Sequence, residues 1–338
     1  MSKISPADTL SLGIYHFSPA WTHNYGESKE KRYEEFEDVI KSGYFNSVLG
    51  DTECILDDNF WRIIFENDCK VWLNVWGSFN SDEKTIDEWI KPIDDALNIV
   101  KTYPDRWELF CGFHFDEPIW RGQSNADFLE QTKTLRERYN KRVFPVFATG
   151  EFFDSEGNAN AIQMDAKNMH KVKAEALKYV TDIAFDSYSV DVRDGYGNGS
   201  YINEMHQKLE GIVDGKTYYS ELAKVLLSMV DHEVNIWFFP TIFMDWLWRG
   251  AVAGEGFCQG HLNYMADLVK TFKHPGGLML YTYYKFKNSP SGLQTHLVVK
   301  NEEGGLKLLP ETEKWWDYCE DLKRLTREFK ETKVDLVK

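Results

Sequence analysis

The 338-residue sequence predicts an α/β fold, a single (β/α)₈ TIM barrel, and three observations lead to that prediction. Short apolar runs alternate with longer amphipathic stretches along the whole chain, as parallel strands joined by crossover helices do. There are eight such pairs, which favours a closed barrel over an open sheet. No Gly-x-Gly-x-x-Gly motif follows the first apolar run, which argues against a nucleotide-binding open sheet.

The predicted strands are short and rich in Val, Ile, Phe and Tyr, a composition typical of strands that are buried on both faces. In chain order they are Leu12–Phe17, Tyr44–Leu49, Val71–Val75, Leu109–Phe115, Val143–Ala148, Ile183–Tyr188, Asn235–Phe239 and Leu278–Tyr283. The active sites of such barrels lie at the carboxyl ends of the strands, so the residues that follow each run are the functional candidates.

The predicted helices carry apolar residues at every third or fourth position among Glu and Lys. The first of them shows this spacing with Tyr33, Phe36 and Val39. The full set is Lys29–Ser42, Asp58–Asn67, Glu83–Tyr103, Asn125–Tyr139, Ala166–Val180, Tyr218–Val230, His261–Phe272 and Glu311–Lys330. Between the sixth and seventh strands, Val192–Ser200 has the composition of an inserted loop.

No stretch rich in Pro or Ser, no repeat and no low-complexity segment interrupts this pattern, so residues 1–338 are predicted to form one catalytic domain. The formal net charge is −15, and a strongly acidic surface repels nucleic acid and anionic lipid. We therefore expect no nucleic-acid partner and no membrane partner, and a neutral or cationic substrate rather than a polyanion. The sequence leaves the oligomeric state open.

The five cysteines are scattered and form no Cys-x-x-Cys pair, and no group of His, Asp, Glu or Cys has the spacing of metal ligands. We therefore expect buried thiols in a reducing compartment, with no metal and no other cofactor. The N-terminus lacks the basic-then-apolar order of a signal peptide. A cytoplasmic location is expected on that ground, or secretion if a signal peptide has been trimmed away.

Polar and aromatic side chains cluster around the predicted carboxyl ends of the strands. They include His16, Asp51, Asn74, Trp76, His114, Asp116, Glu117, Glu151, Asp186, Tyr188, Asp245, Trp246, Trp248, Tyr281 and Tyr283. Aromatic residues make up 15% of the chain, and flat Trp and Tyr rings stack on the apolar faces of sugars. Two carboxyl groups perform the acid and base steps of glycosidic cleavage. The set therefore predicts a carbohydrate substrate.

The segment Cys111–Pro118 (CGFHFDEP) runs from an apolar strand directly into two adjacent acids. Pro118 is expected to hold Glu117 in an extended conformation and to end the strand. Apolar neighbours and the charge of Asp116 would raise the pKa of Glu117, as a general acid near neutral pH requires. Two other interpretations stay open, in which the acids cap the next helix or form ion pairs with Arg121.

A barrel whose fourth strand ends in such an acidic pair resembles the glycoside hydrolase barrels, in two branches. Retaining β-glycosidases have Asn-Glu, often followed by Pro, on strand 4 and a nucleophilic Glu at the end of strand 7. The substrate-assisted N-acetylhexosaminidases of glycoside hydrolase families 20 and 123 have Asp-Glu on strand 4. This chain has Asp116-Glu117-Pro118, and Asn235–Trp248 contains Asp245 but no Glu, so it is more similar to the second branch.

That resemblance implies that Glu117 is the general acid and base. Asp116 would orient the 2-acetamido group of the substrate, which attacks the anomeric carbon. A tyrosine completes such a site, with Tyr188 as the first candidate and Tyr283 as the second. Adjacent strand residues point to opposite faces, so both acids reach one ligand only if the strand ends or bulges there.

Two alternatives remain. In one, Glu117 works with a second carboxylate in a retaining or an inverting mechanism, and the candidates are Asp186, Glu151 and Asp245. Asp186 is the first of these because it interrupts an apolar strand, although it also fits a buried acid that is bonded to its neighbours. In the other, the barrel binds carbohydrate without cleaving it.

Overall fold

The computed structural model describes residues 4–15, 17, 19, 28–51, 54–75, 86–119, 121–148, 172–186, 215–240, 255–281, 299–300, 306–307 and 316–338. Eight strands form a closed parallel barrel in the order of the chain, which confirms the predicted fold class. They are β1 (Ser11–Ile14), β2 (Ser47–Gly50), β3 (Lys70–Asn74), β4 (Phe110–Asp116), β5 (Arg142–Ala148), β6 (Asp182–Asp186), β7 (Asn235–Phe238) and β8 (Pro275–Leu280).

The α-helices follow the strands along the chain. They are α1 (Lys29–Lys41), α2 (Asp58–Glu66), α3 (Ile86–Val100), α4 (Asn125–Tyr139), α5 (Gly215–Met229), α6 (Glu255–Val269) and α7 (Trp316–Glu331). Three 3₁₀ turns cover Pro6–Asp8, Pro104–Leu109 and Ala174–Leu177, and a short antiparallel pair joins β9 (Val299–Lys300) to β10 (Leu306–Lys307). Within these ranges no helix is both long enough and apolar enough to cross a bilayer.

Polar caps fix the starts of three helices where the sequence changes from polar to periodic. The side chains of Ser28, Asp57 and Ser124 accept hydrogen bonds from backbone N–H groups in the first turns of α1, α2 and α4. Such caps satisfy donors that the helix itself leaves unpaired. Asn140, in the left-handed conformation at φ 49°, ends α4. These local signals explain why the bounds of α4 match the prediction.

The predicted helix Ala166–Val180 is wrong over the part that the structure describes, where Ala174–Leu177 form a single 3₁₀ turn. The backbone N–H of Lys173 donates to the side chain of Asn125 at 2.9 Å, and β6 begins at Asp182. Between these points the backbone N–H groups of Ala176 and Val180 donate to the carbonyl oxygens three residues earlier, those of Lys173 and Leu177, which is the 3₁₀ pattern. The prediction also placed the last strand too late, since β8 ends at Leu280.

The chain divides into two compact units, and two of the boundaries between them fall inside β4 and β8. The first unit is Met1–His114, Ile242–Met244 and Met279–Val334, and the second is Phe115–Thr241, Asp245–Leu278 and Asp335–Lys338. The predicted single catalytic domain stays a prediction.

Aromatic rings from three elements form the core of the first unit. Phe36 of α1 stacks on Phe60 of α2 with ring centroids 5.5 Å apart, and Trp61 meets Phe110 of β4 edge to face at 6.4 Å. All four side chains are buried. Since each aromatic side chain removes a large apolar area from water, these contacts anchor α1 and α2 on the sheet.

The second unit has its own aromatic core. Phe128 of α4 contacts Phe115 at 5.2 Å and Phe147 at 6.0 Å, measured between ring centroids. Phe144 of β5 stacks on Trp237 of β7 at 4.6 Å. The Phe128 contacts fix α4 against the end of β4, where the acidic pair lies.

Candidate functional site

The acidic pair lies at the carboxyl end of β4. Asp116 is the last residue of the strand and is buried, while the side chain of Glu117 is 17% exposed. The backbone N–H of Glu117 donates to the carbonyl oxygen of Val146 at 2.8 Å. Both acids are therefore anchored on the sheet, and Glu117 stays accessible to solvent.

The backbone of Glu117 is left-handed, with φ at 44°, so the expectation of an extended conformation was wrong. Pro118 disfavours a right-handed helical residue before it, but hydrogen bonds of the following turn decide the outcome. The N–H of Arg121 donates to the carbonyl of Glu117, and that of Gln123 to the carbonyl of Pro118, both at 3.0 Å. Gly122, with φ at 96°, completes the turn. A left-handed non-glycine residue is uncommon and often marks a functional position.

Arg121 contacts both acids through one atom. Its Nη2 lies 2.7 Å from Oδ2 of Asp116 and 3.2 Å from Oε2 of Glu117. The left-handed turn thus removes the objection that adjacent strand residues point apart, because both carboxylates reach the same nitrogen. The ion pairs with Arg121, one of the two open interpretations of the motif, are present.

A second polar cluster belongs to the first unit and contains Tyr15, His114 and Tyr281. Nε2 of His114 lies 3.2 Å from the hydroxyl of Tyr15, and the Tyr15 and Tyr281 rings are 5.4 Å apart. His114 and Tyr15 are buried, whereas Tyr281 is half-buried. His114 was a candidate for contact with substrate, and that role stays a prediction; in the structure the side chain is buried and contacts Tyr15.

Two further strand ends of the first unit carry polar side chains that the sequence placed there. Nδ2 of Asn74, at the end of β3, lies 3.4 Å from Oδ1 of Asp51, which follows β2. Both residues are half-buried. A carboxylate and an amide at this spacing present the acceptors and donors that sugar hydroxyls use.

Asp186 is the last residue of β6, paired in register with Ala148 of β5, and its side chain lies outside what the structure describes. The remaining candidates, His16, Trp76, Glu151, Tyr188, Asp245, Trp246, Trp248 and Tyr283, also lie outside the described residues. In the described part of the chain, no group of three His, Cys, Asp or Glu side chains is arranged to hold a metal ion.

Sequence reasoning named Arg121 only as a possible partner, and it did not single out Tyr15. The signal for Arg121 was its position four residues after Glu117, which a tight turn brings into contact. Tyr15 precedes the His16 candidate, and the prediction had assigned both to one strand. The strand ends at Ile14, so alternation along it does not fix the direction of Tyr15.

No protein-family model matches the sequence, and no curated protein sequence matches it. Among solved structures, a GH5_18 from Bifidobacterium longum subsp. infantis superposes with a TM-score of 0.50 at 11% identity, over 96% of this chain and 80% of its own. Saccharomyces cerevisiae Gas2p in complex with laminaripentaose gives a TM-score of 0.49 at 11% identity, over 97% of this chain and 66% of its own. At this identity, the likeness to the GH5_18 protein shows a shared eight-stranded barrel fold.

Proposed function

We propose that this protein is a glycoside hydrolase in which Glu117 donates the proton to the leaving oxygen. One observation carries the proposal: an accessible Glu117 follows the buried Asp116 at the carboxyl end of β4 in a closed parallel barrel. Active sites of this fold lie at that end of the strands. A fold like that of a GH5_18 protein agrees with this chemistry.

General acid catalysis needs a carboxyl group that is within hydrogen-bond reach of the departing oxygen and is protonated before the bond breaks. Glu117 projects from a turn that is fixed by two backbone hydrogen bonds, so the position of its backbone is defined before substrate arrives. After proton transfer it is a carboxylate, which can take a proton from the incoming water. One residue therefore serves as acid in the first step and base in the second.

Substrate assistance is the mechanism that we favour within this class. The two carboxylates already contact one polar nitrogen, Nη2 of Arg121. An acetamido N–H beside Arg121 would donate to Asp116, while the glycosidic oxygen accepted the proton of Glu117. The acetamido oxygen would then form a bond to the anomeric carbon as the leaving group departs, and water would open that ring in the second step.

A two-carboxylate mechanism is the alternative, with Asp186, Glu151 or Asp245 as the partner of Glu117. The separation between the two carboxyl groups would decide its stereochemistry. About 5 to 5.5 Å implies a covalent intermediate and retention, and about 6.5 to 9.5 Å implies water attack and inversion. Of these three residues, the structure describes the backbone of Asp186, which lies at the carboxyl end of β6.

The first experiment is a screen of aryl glycosides with and without a 2-acetamido group. Glu117→Gln keeps the shape of the side chain and removes its ability to donate and accept the catalytic proton. We expect its kcat to fall by about 100-fold to 10,000-fold on substrates with poor leaving groups. Glu130→Gln is the matched control, because Glu130 is exposed on α4.

Each outcome of the screen assigns a mechanism. Cleavage of acetamido sugars alone, lost in Asp116→Asn and Glu117→Gln, would support substrate assistance. Efficient cleavage of plain hexosides would rule it out and would make Asp186, Glu151 and Asp245 the candidates for mutation. Full activity of Glu117→Gln would contradict the assignment of the proton donor.

A carbohydrate-binding barrel without catalysis is the second candidate function. The ion pairs of Arg121 favour it, since a guanidinium that contacts both acids favours their ionised forms, and an ionised Glu117 donates no proton. Calorimetric titration with oligosaccharides separates the two functions. A binding protein would hold a sugar with equal affinity in wild type and Glu117→Gln and would release no product over days.

A further inference from the structure

We infer that Arg121 is a positioning residue, which holds Asp116 and Glu117 as one unit that faces a single substrate group. This inference rests on the proposed function, since it concerns how the same pair of acids is arranged. The supporting observations are the contacts of one guanidinium nitrogen with the two carboxylates and the backbone conformation of the turn that contains Arg121.

The backbone alone does not make the acids converge. Asp116 ends β4 in regular strand geometry, whereas Glu117 adopts φ 44° directly after it. Without a partner, the Glu117 side chain could take several rotamers, because Glu has three side-chain torsions. A contact at 3.2 Å to Arg121 restricts that freedom and selects the rotamer that lies beside Asp116.

The conformation of the turn places Arg121 beside the two acids. Its N–H donates to the carbonyl of Glu117, so the backbone of Arg121 is tied to the residue whose side chain it contacts. Gly122 has φ at 96° and open space around the position of a side chain. A side chain at residue 122 would be strained by its backbone conformation alone. Gly122 therefore allows the chain to turn toward α4 directly after Arg121.

The two contacts of Arg121 differ in strength. The distance to Asp116 is 2.7 Å and that to Glu117 is 3.2 Å, and the side chain of Asp116 is 9% exposed against 17% for Glu117. The guanidinium is thus held mainly by the more buried acid, and the more accessible acid has the looser contact. Such an arrangement fixes Asp116 while leaving Glu117 able to exchange its partner for a substrate oxygen.

The test compares Arg121→Gln and Arg121→Lys with wild type on the best substrate of the screen. We expect Arg121→Gln to lower kcat by about 100-fold, the effect of a misplaced catalytic group, while KM changes by less than about threefold. Both contacts use one nitrogen, so the single ammonium of Arg121→Lys should restore a large part of kcat. A purely structural role would instead lower the melting temperature and leave kcat of the folded enzyme unchanged.

Arg62→Gln is the matched control. Arg62 also contacts two carboxylates, Glu66 at 2.7 Å and Glu37 at 3.6 Å, but it lies on α2 away from the acidic pair in the chain. We expect its kcat to equal that of wild type. Unchanged kcat in Arg121→Gln, or the same loss in Arg62→Gln, would overturn the inference.

A second measurement keeps the inference testable if no glycoside is cleaved, in which case the proposed function fails separately. Carboxyl ¹³C resonances of Asp116 and Glu117, assigned with Asp116→Asn and Glu117→Gln, can be followed against pH in wild type and Arg121→Gln. A guanidinium in contact with both carboxylates favours their ionised forms, so its removal should move both titration midpoints to higher pH. If only one midpoint moves, or neither does, Arg121 does not hold the acids as one unit.

Discussion

At the scale of the residue, the second unit contains a buried ion pair. Arg142 and Asp182, the first residues of β5 and β6, are both buried, and Nε of Arg142 donates to Oδ2 of Asp182 at 2.8 Å. Nε1 of Trp237 and Oγ1 of Thr181 donate to the same carboxylate at 2.7 and 2.9 Å. Arg142 begins β5, Thr181 directly precedes β6 and Trp237 lies within β7, so these partners lie away from the carboxyl ends of the strands and the network is structural.

We expect Arg142→Met to lower the free energy of unfolding by about 3 to 5 kcal/mol, because it leaves Asp182 charged and buried without its cation. Replacing both residues with Met and Leu should cost less than this single change. Urea unfolding measures both effects. Arg324→Met is the control, since Arg324 forms exposed ion pairs on α7 and should lose less than about 1 kcal/mol. Equal losses in the two single variants would contradict the reasoning.

At the scale of the element, two strands have a glycine at a position where a large side chain packs close to the backbone. A Cβ at Gly276 of β8 would overlap the indole ring of Trp237 on β7. A Cβ at Gly13 of β1 would lie 2.7 Å from Sδ of Met279. The two cases differ because Trp237 is fixed by Asp182 and by stacking on Phe144, while a methionine side chain can change rotamer.

Gly276→Ala should therefore destabilise the protein more than Gly13→Ala. We expect a loss of about 1 to 3 kcal/mol or more at Gly276, as overpacking of a rigid core produces, and a smaller loss at Gly13. Chemical denaturation of the two variants in parallel compares them directly. A larger loss at Gly13 would mean that Met279 is as rigidly held as Trp237.

At the scale of the whole molecule, the burial of protonated thiol and phenol groups makes the free energy of unfolding decrease at alkaline pH. Burial raises the pKa of the Cys69 thiol from 9.0 to about 12, and burial also raises the pKa of Tyr33 and of Tyr44. In the unfolded chain these groups ionise near their ordinary pKa values, while in the fold they stay protonated. Their contribution to stability is complete below about pH 9 and is lost as pH rises from 9 toward 12.

Unfolding by urea at pH 7, 9, 10 and 11 should show a free energy that falls with pH above about 9. Cys69 alone accounts for a slope of about 1.4 kcal/mol per pH unit in that window. Cys69→Ala should reduce the slope, even though its stability at pH 7 is lower because of the cavity. An unchanged slope in Cys69→Ala would show that the thiol does not contribute.

Much of the fold followed from local pattern. Each of the eight strands and each of the helices α1 to α7 overlaps a predicted one, because buried strands and amphipathic helices have different apolar periods. The placement of Asp116 and Glu117 at the end of β4 followed from the same pattern. The 3₁₀ turns and the short β9–β10 pair were not predicted, and at Ala174–Leu177 the apolar spacing fitted a helix where the backbone forms a 3₁₀ turn.

The sequence by itself determined the eight-fold alternation, the barrel and the strand that carries the acidic pair. Only the tertiary structure decided that Glu117 turns into the left-handed region and that Asp116 and Glu117 converge on Arg121. The physical reason is that periodicity reports which residues are buried along an element. The direction of a side chain beyond the end of a strand depends on the hydrogen bonds of a turn and on contacts with neighbouring strands, which apolar periodicity does not indicate.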